Sequence, residues 1–185
     1  MDKLPVLAEF MVTKWSYEAL MVHQYKDNRF MKRKLYDIEK TESQSDFKKV
    51  YWLPELTERL EHLRAEVQNT GAVMNATDDL YVLLHEIQKE SVANPDVPAF
   101  TEFSQLSPER FTLETADLVG DYLNKLDTYY SDTFQRISKQ KENYFNYYLD
   151  RDPEAYNLMR DQYHNEGISD IVRKVYEKNK ILEYD

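Results

Sequence analysis

PELTERLEHLRAEVQNTG, residues 54–71, decides the fold. Leu56, Leu60, Leu63 and Val67 step by four, three and four, which places them on one face of a helix. Pro54 suits a first helical turn, and Asn69 and Gly71 are stop signals. A second helix is expected to begin near Asn75 or Thr77, with Asp78 and Asp79 at its positive end. Its apolar face is Leu80, Leu83, Leu84 and Ile87. Two amphipathic helices joined by a few residues form the basic unit of an all-α protein.

The rest of the chain extends this pattern. From about Thr112 to Leu149, Val119, Leu123, Leu126, Tyr130, Phe134, Ile137, Tyr144 and Tyr148 keep mostly to steps of three and four, with one break near Lys141. Such a helix would be on the order of 55 Å long. Asp152-Pro153-Glu154 restarts a helix through Ala155, Leu158 and Met159. Gly167 punctuates it, and Ile168 to Ile181 forms a last helix. Residues 91–111 hold three of the six prolines and read as a long connection, with a short helix start at Ser107-Pro108-Glu109. The SQSD stretch around Ser43 reads as a turn or a fresh helix start. The expected fold is all-α: an elongated bundle of long antiparallel helices with an amphipathic helix at the N-terminus, a helix that the resemblance given below would place at a membrane interface.

Composition agrees and narrows the function. Only three glycines occur in 185 residues, whereas sandwiches, barrels and nucleotide-binding folds need more glycine turns. The formal net charge is −10, a field that repels polyanions, so no nucleic-acid partner is expected. The absence of cysteine excludes disulfides, thiolate zinc sites and cysteine nucleophiles. Nothing approaches the roughly 20 apolar residues of a spanning helix.

Catalytic signals are sparse. A di-iron bundle needs Glu-x-x-His pairs, and none of His23, His62, His85 and His164 has a Glu three residues before it. Asp161-x-x-His164 occurs once; with Glu166 it is the best available grouping for an enzyme. No phosphate-binding glycine loop or GxSxG elbow is present. The tyrosine clusters at 129–130 and 144–156 keep helical spacing and are read as packing residues rather than a sugar- or lipid-stacking surface. Asn75-Ala76-Thr77 matches a glycosylation acceptor, but helix capping explains it as well. No metal or catalytic residue is expected.

The N-terminal segment behaves differently. Residues 4–25 are mostly apolar, with Leu4, Leu7, Met11, Trp15, Val22 and Tyr25 on one stripe and Val6, Val12, Tyr17 and Leu20 elsewhere around the helix. A helix apolar on nearly all sides must be buried somewhere. Glu9, Lys14 and Glu18 interrupt it and are costly at a bilayer centre, though tolerable at its interface or against other protein helices. The basic cluster Arg29, Lys32, Arg33 and Lys34 reads either as a contact for anionic headgroups or as a plain solvated face.

FMVTKWSYEALMVHQYKDNRF, residues 10–30, resembles a stretch of bacterial ABC transporters of the G (White) type that carry ATPase and permease in one chain. The family motif, Ser/Pro-Arg-aromatic-small-aromatic-Glu-Ala-Leu, is matched by Lys14, Trp15, Ser16, Tyr17, Glu18, Ala19 and Leu20, with Lys14 in place of the usual Arg. Gln24, Tyr25, Lys26 and Asn28, YWLPEL at 51–56 and QYHNEGISDIV at 162–172 are similar too.

The resemblance implies an extracytoplasmic (periplasmic) loop domain between the fifth and sixth membrane helices, excised from a longer protein. Residues 1–28 would form the interfacial, re-entrant segment. Residues 29–185 would form the external domain, including the connection at 91–111. Leu7, Met11, Lys14, Trp15, Tyr17, Glu18 and Leu20 would contact the permease or membrane. The implied partners are the parent's transmembrane helices, the membrane interface and a second transporter half in a homodimer. No cofactor is expected in this chain, because ATP and Mg would bind the parent's cytoplasmic ATPase domain. On this reading the domain folds without residues 1–28. The alternative is a free-standing helical adaptor that binds a partner through the same apolar N-terminal helix.

Overall fold

The computed structural model describes residues 12–31, 34–164 and 167; within these, the side chains of Val12, Thr13, Lys14 and Glu18 are not described. The described residues are mostly helical and contain no strand. Six α-helices are described: α1 (Val12–Lys26), α2 (Leu35–Phe47), α3 (Leu53–Thr70), α4 (Thr77–Ala93), α5 (Leu113–Arg151) and α6 (Pro153–Tyr163). A π-helical turn, Lys48–Trp52, joins α2 to α3, and a short 3-10 turn covers Phe103–Gln105. The chain divides into two compact units, Gln44–Arg136 and the pair of segments Met1–Ser43 and Ile137–Asp185. The helix expected at 168–181 lies outside the described residues.

In the unit Gln44–Arg136, the stripe read from sequence is the core. Leu53, Leu56, Leu60, Leu63 and Val67 of α3 are buried with Leu80, Leu83 and Ile87 of α4. Ala116, Val119, Tyr122, Leu123, Leu126 and Tyr130 of α5 close it. The proline-containing connection is part of the same core, since Val97, Phe100, Leu106 and Phe111 are buried in it. The helix expected at Ser107 is a single turn, in which the Arg110 and Phe111 N–H groups donate to the Ser107 carbonyl. The long helix begins at Leu113, as expected from about Thr112, where the Thr112 hydroxyl accepts the Thr115 N–H at 3.2 Å.

The α3–α4 connection is organised by a carboxylate. Gly71 adopts φ +80, the left-handed region open to glycine, and its N–H donates to the Val67 carbonyl. Glu66 then accepts from the Asn75 N–H (2.7 Å), the Asn75 side-chain amide (2.9 Å) and the Ala76 N–H (3.0 Å). Asn75 is therefore not the cap: Ala76 occupies that position without a side-chain bond, and Glu66 supplies the acceptor. The Ala76 and Asn75 backbone N–H groups hold the Glu66 carboxyl below its ordinary range.

The SQSD stretch is neither turn nor helix start. It lies inside α2, which runs directly into the π turn, with Phe47 and Leu53 at either end both in right-handed helical conformation. A π turn takes one residue more than an α turn. That residue allows Phe47 and Trp52, five apart, both to be buried in the core.

In the other unit, Tyr25, Phe30, Met31, Leu35 and Tyr156 form a smaller core, edged by Tyr36, Tyr144, Phe145, Tyr148 and Met159. Of the 144–156 aromatics, Tyr144, Phe145, Tyr148 and Tyr156 therefore pack, as their spacing indicated, whereas Tyr147 is 55% exposed. Asn28 closes α1: its amide donates to the Gln24 and Tyr25 carbonyls, and its Oδ1 accepts the Phe30 and Met31 N–H groups. Asp152 caps α6 by accepting the Ala155 N–H at 3.0 Å.

Leu83→Ala is expected to cost about 2–5 kcal/mol of stability. Val92→Ala, at a position 83% exposed, should change stability by less than about 0.5 kcal/mol; urea unfolding measures both. The depressed Glu66 carboxyl contributes stability that is complete above the unfolded-chain value near 4.5 and is lost as pH falls through the lower folded value. Glu66→Gln should remove that part of the acid-side pH dependence.

Candidate interaction surface

α1 is the element on which the sequence places the functional residues. Trp15 is 59% exposed, Tyr17 64%, Leu20 53% and Val22 47%. Only the C-terminal end turns inward, where Tyr25 is buried and its hydroxyl donates to Glu39 Oε2 at 2.9 Å. The single stripe drawn from sequence therefore splits, with Trp15 and Val22 facing outward and Tyr25 belonging to the core. Trp15, Ala19, Val22 and Lys26 step by four, three and four, and all four are exposed, so they share one outward face. Tyr17 and Leu20, three apart, lie on a different face.

The remaining expected site residues fall as follows. Leu7, Met11, Lys32 and Arg33 lie outside the described residues, and Lys14 and Glu18 are in α1 with side chains not described. Arg29 is exposed, its guanidinium 5.9 Å from the centre of the Tyr163 ring. Lys34 is exposed and takes φ 77, the left-handed region that non-glycine residues rarely adopt. The ring of His164 lies 5.2 Å from that of Phe30, and Asp161 accepts from Arg160; Glu166 lies outside the described residues. Among the described residues, no cluster of three or more potential ligands could hold a metal ion, and no helix is long and apolar enough to cross a membrane.

Two buried polar clusters were not anticipated. In the first, Glu90, 6% exposed, accepts the Tyr130 hydroxyl on Oε1 and the Lys48 ammonium on Oε2. Lys48 also lies 3.5 Å over the Trp52 ring, whose Nε1–H donates to Glu86 Oε2 at 2.6 Å. Lys48 and Trp52 are four apart on the π turn and meet Glu90 and Glu86, four apart on α4. Burial, and then the hydrogen bond to Glu90, push the Tyr130 phenol far above its ordinary value, so it remains a donor. With both oxygens occupied, Glu90 ties the π turn, α4 and α5 together.

In the second cluster, Glu39 is 5% exposed and is joined by Lys141 Nζ at 3.6 Å as well as by Tyr25. Lys141 also contacts Glu42 Oε2 at 2.6 Å, and Glu42 Oε1 accepts the Ser138 hydroxyl at 2.8 Å. The break in the α5 pattern at Lys141 is therefore an occupied inward position. A lysine in an apolar slot, with two glutamates three apart on another helix, was the available signal.

No family model matches the chain, and neither the curated proteins nor the solved structures contain a match to it.

Removing one member of a buried ion pair strands the other. Glu90→Ala is expected to destabilise the protein by about 3–5 kcal/mol. A double-mutant cycle with Lys48→Met, followed by denaturant unfolding, should recover part of that loss. Additive effects would show that the two side chains are not coupled.

Proposed function

We propose that this chain is a non-catalytic extracytoplasmic helical domain of a bacterial G-type ABC transporter permease, joined to the membrane-embedded part through α1. The observation that carries the reading is the exposure of Trp15, Tyr17, Leu20 and Val22 along one helix. This is the same segment in which Lys14 to Leu20 resembles the family motif. Those side chains leave apolar area in water that packing against transmembrane helices or the bilayer interface would remove.

On this reading the domain shapes the exit path, contributes to gating or docks an outer partner during ATP-driven transport. The ATP and Mg sites belong to the parent's cytoplasmic domain. Two transporter halves bring two copies of the domain to the periplasmic face of the inner membrane.

The test is an immunoblot of fractionated source cells with an antibody against this chain. The expected band lies in the membrane fraction, at a mass far above the 22.2 kDa of these 185 residues. A soluble band near 22.2 kDa would overturn the transporter reading in favour of a free-standing adaptor that uses the same helix.

A further inference from the structure

The outward stripe of α1 ends in a cation. Trp15, Ala19 and Val22 form its apolar length, and Lys26 takes the next position on the same face. Arg29 and Lys34 follow, both exposed. Between Lys14 and Lys34 the sequence holds six Lys or Arg against Glu18 and Asp27, a surplus of four positive charges in a chain of formal net charge −10. Asp27 Oδ2 lies 2.7 Å from His23 Nδ1, a hydrogen bond at the same end of the helix. Among the described residues, the exposed cations Lys26, Arg29 and Lys34 follow the exposed apolar positions of α1 along the chain, and the sequence outside 14–34 is acidic.

We infer that the exposed side chains of Trp15, Ala19, Val22, Lys26, Arg29 and Lys34 form a docking surface for an anionic lipid bilayer. The Trp15–Ala19–Val22 face would enter the headgroup–acyl boundary, with Lys26, Arg29 and Lys34 among the headgroups. The inference rests on the placement of α1 at a membrane and adds the lipid class. Tryptophan is enriched at that boundary, where its amphipathic ring sits at the headgroup level. Lysine and arginine stems lie along apolar surface while their charged ends remain in water. Anionic headgroups complement the local positive charge. The acidic remainder of the chain is repelled by the same surface, so charge also orients the protein.

The test is sedimentation of the 185-residue chain with vesicles of neutral phosphatidylcholine alone, or containing anionic phosphatidylglycerol. Binding should be confined to the anionic vesicles and weaken with added salt. Each cation removed should weaken it about fivefold, and Lys26→Gln/Arg29→Gln/Lys34→Gln together on the order of 100-fold. Trp15 emission should shift to shorter wavelength on binding; Trp52 is already buried. Trp15→Ser/Val22→Ser changes exposed positions and should abolish binding without altering the helical circular dichroism.

Equal binding to both vesicle types would overturn the inference. So would binding to soluble polyglutamate or inorganic phosphate with none to vesicles. Loss of vesicle selectivity alongside a large membrane-fraction band would overturn this inference alone. Selectivity alongside a soluble 22.2 kDa band would support it and overturn the transporter reading.

Discussion

Glu90 stands in an apolar slot. Leu80, Leu83 and Ile87 step along the buried face of α4, and Glu90 takes the next position on it. A carboxylate there is costly unless its charge and lone pairs are met. Lys48 and Tyr130 meet them, and this requirement fixes more than one side chain. Lys48 must reach α4 from the segment before α3, so that segment must present Lys48 and Trp52 together. The π turn does so, and its extra residue also brings Phe47 into the same core as Leu53 and Leu56. A helical geometry that is rare on its own is thus selected by its tertiary partners. Hydrophobic contact stabilises the unit, while the ion pair selects one register among those the leucines would tolerate.

The other unit repeats the arrangement with different residues. Lys141 interrupts the apolar row of α5, and Glu39 and Glu42 of α2 receive it. Tyr25 adds its hydroxyl to Glu39, so the end of α1 is fixed by a hydrogen bond as well as by the ring packing of Tyr25 against Tyr36. Glu90 in one unit and Lys141 in the other occupy positions that simple hydrophobic patterning assigns to an apolar residue.

That arrangement explains what the sequence shows and what it conceals. The α3 stripe, the stop at Gly71, the start at Thr77, the length of α5 and the cap at Asp152 are all local: each depends on residues within a turn or two, and each is legible. The π turn is not, because its stability comes from Glu86 and Glu90, more than thirty residues away in sequence. The N–H groups of Asn75 and Ala76, just ahead of α4, are met by Glu66 from the preceding helix, so Asn75 acts as a donor to that carboxylate and not as the cap. The burial of Val97, Phe100, Leu106 and Phe111 is likewise hidden in a proline-containing stretch with no period. Within α1, the aromatic and apolar character is evident from composition. The inward turn of Tyr25 and the outward face of Trp15 are not, since only the position of Glu39 decides which side is buried.

The fastening of α1 bears directly on what it can do. Asn28 satisfies carbonyls of the last turn of α1 and amides of the next turn with one side chain, while Tyr25 holds the same end to Glu39. The helix is therefore set in direction at its C-terminal end before any partner arrives. Fully burying a side chain the size of valine or leucine gains roughly 1.5–3 kcal/mol, and Trp15, Leu20 and Val22 keep about half of their surface in water. That gain is available to whatever covers them. A helix already oriented loses less conformational freedom on docking than one that must first be ordered. The polar bonds at Asn28 and Glu39 thus convert the exposed apolar face of α1 from a cost to the isolated chain into a preorganised surface.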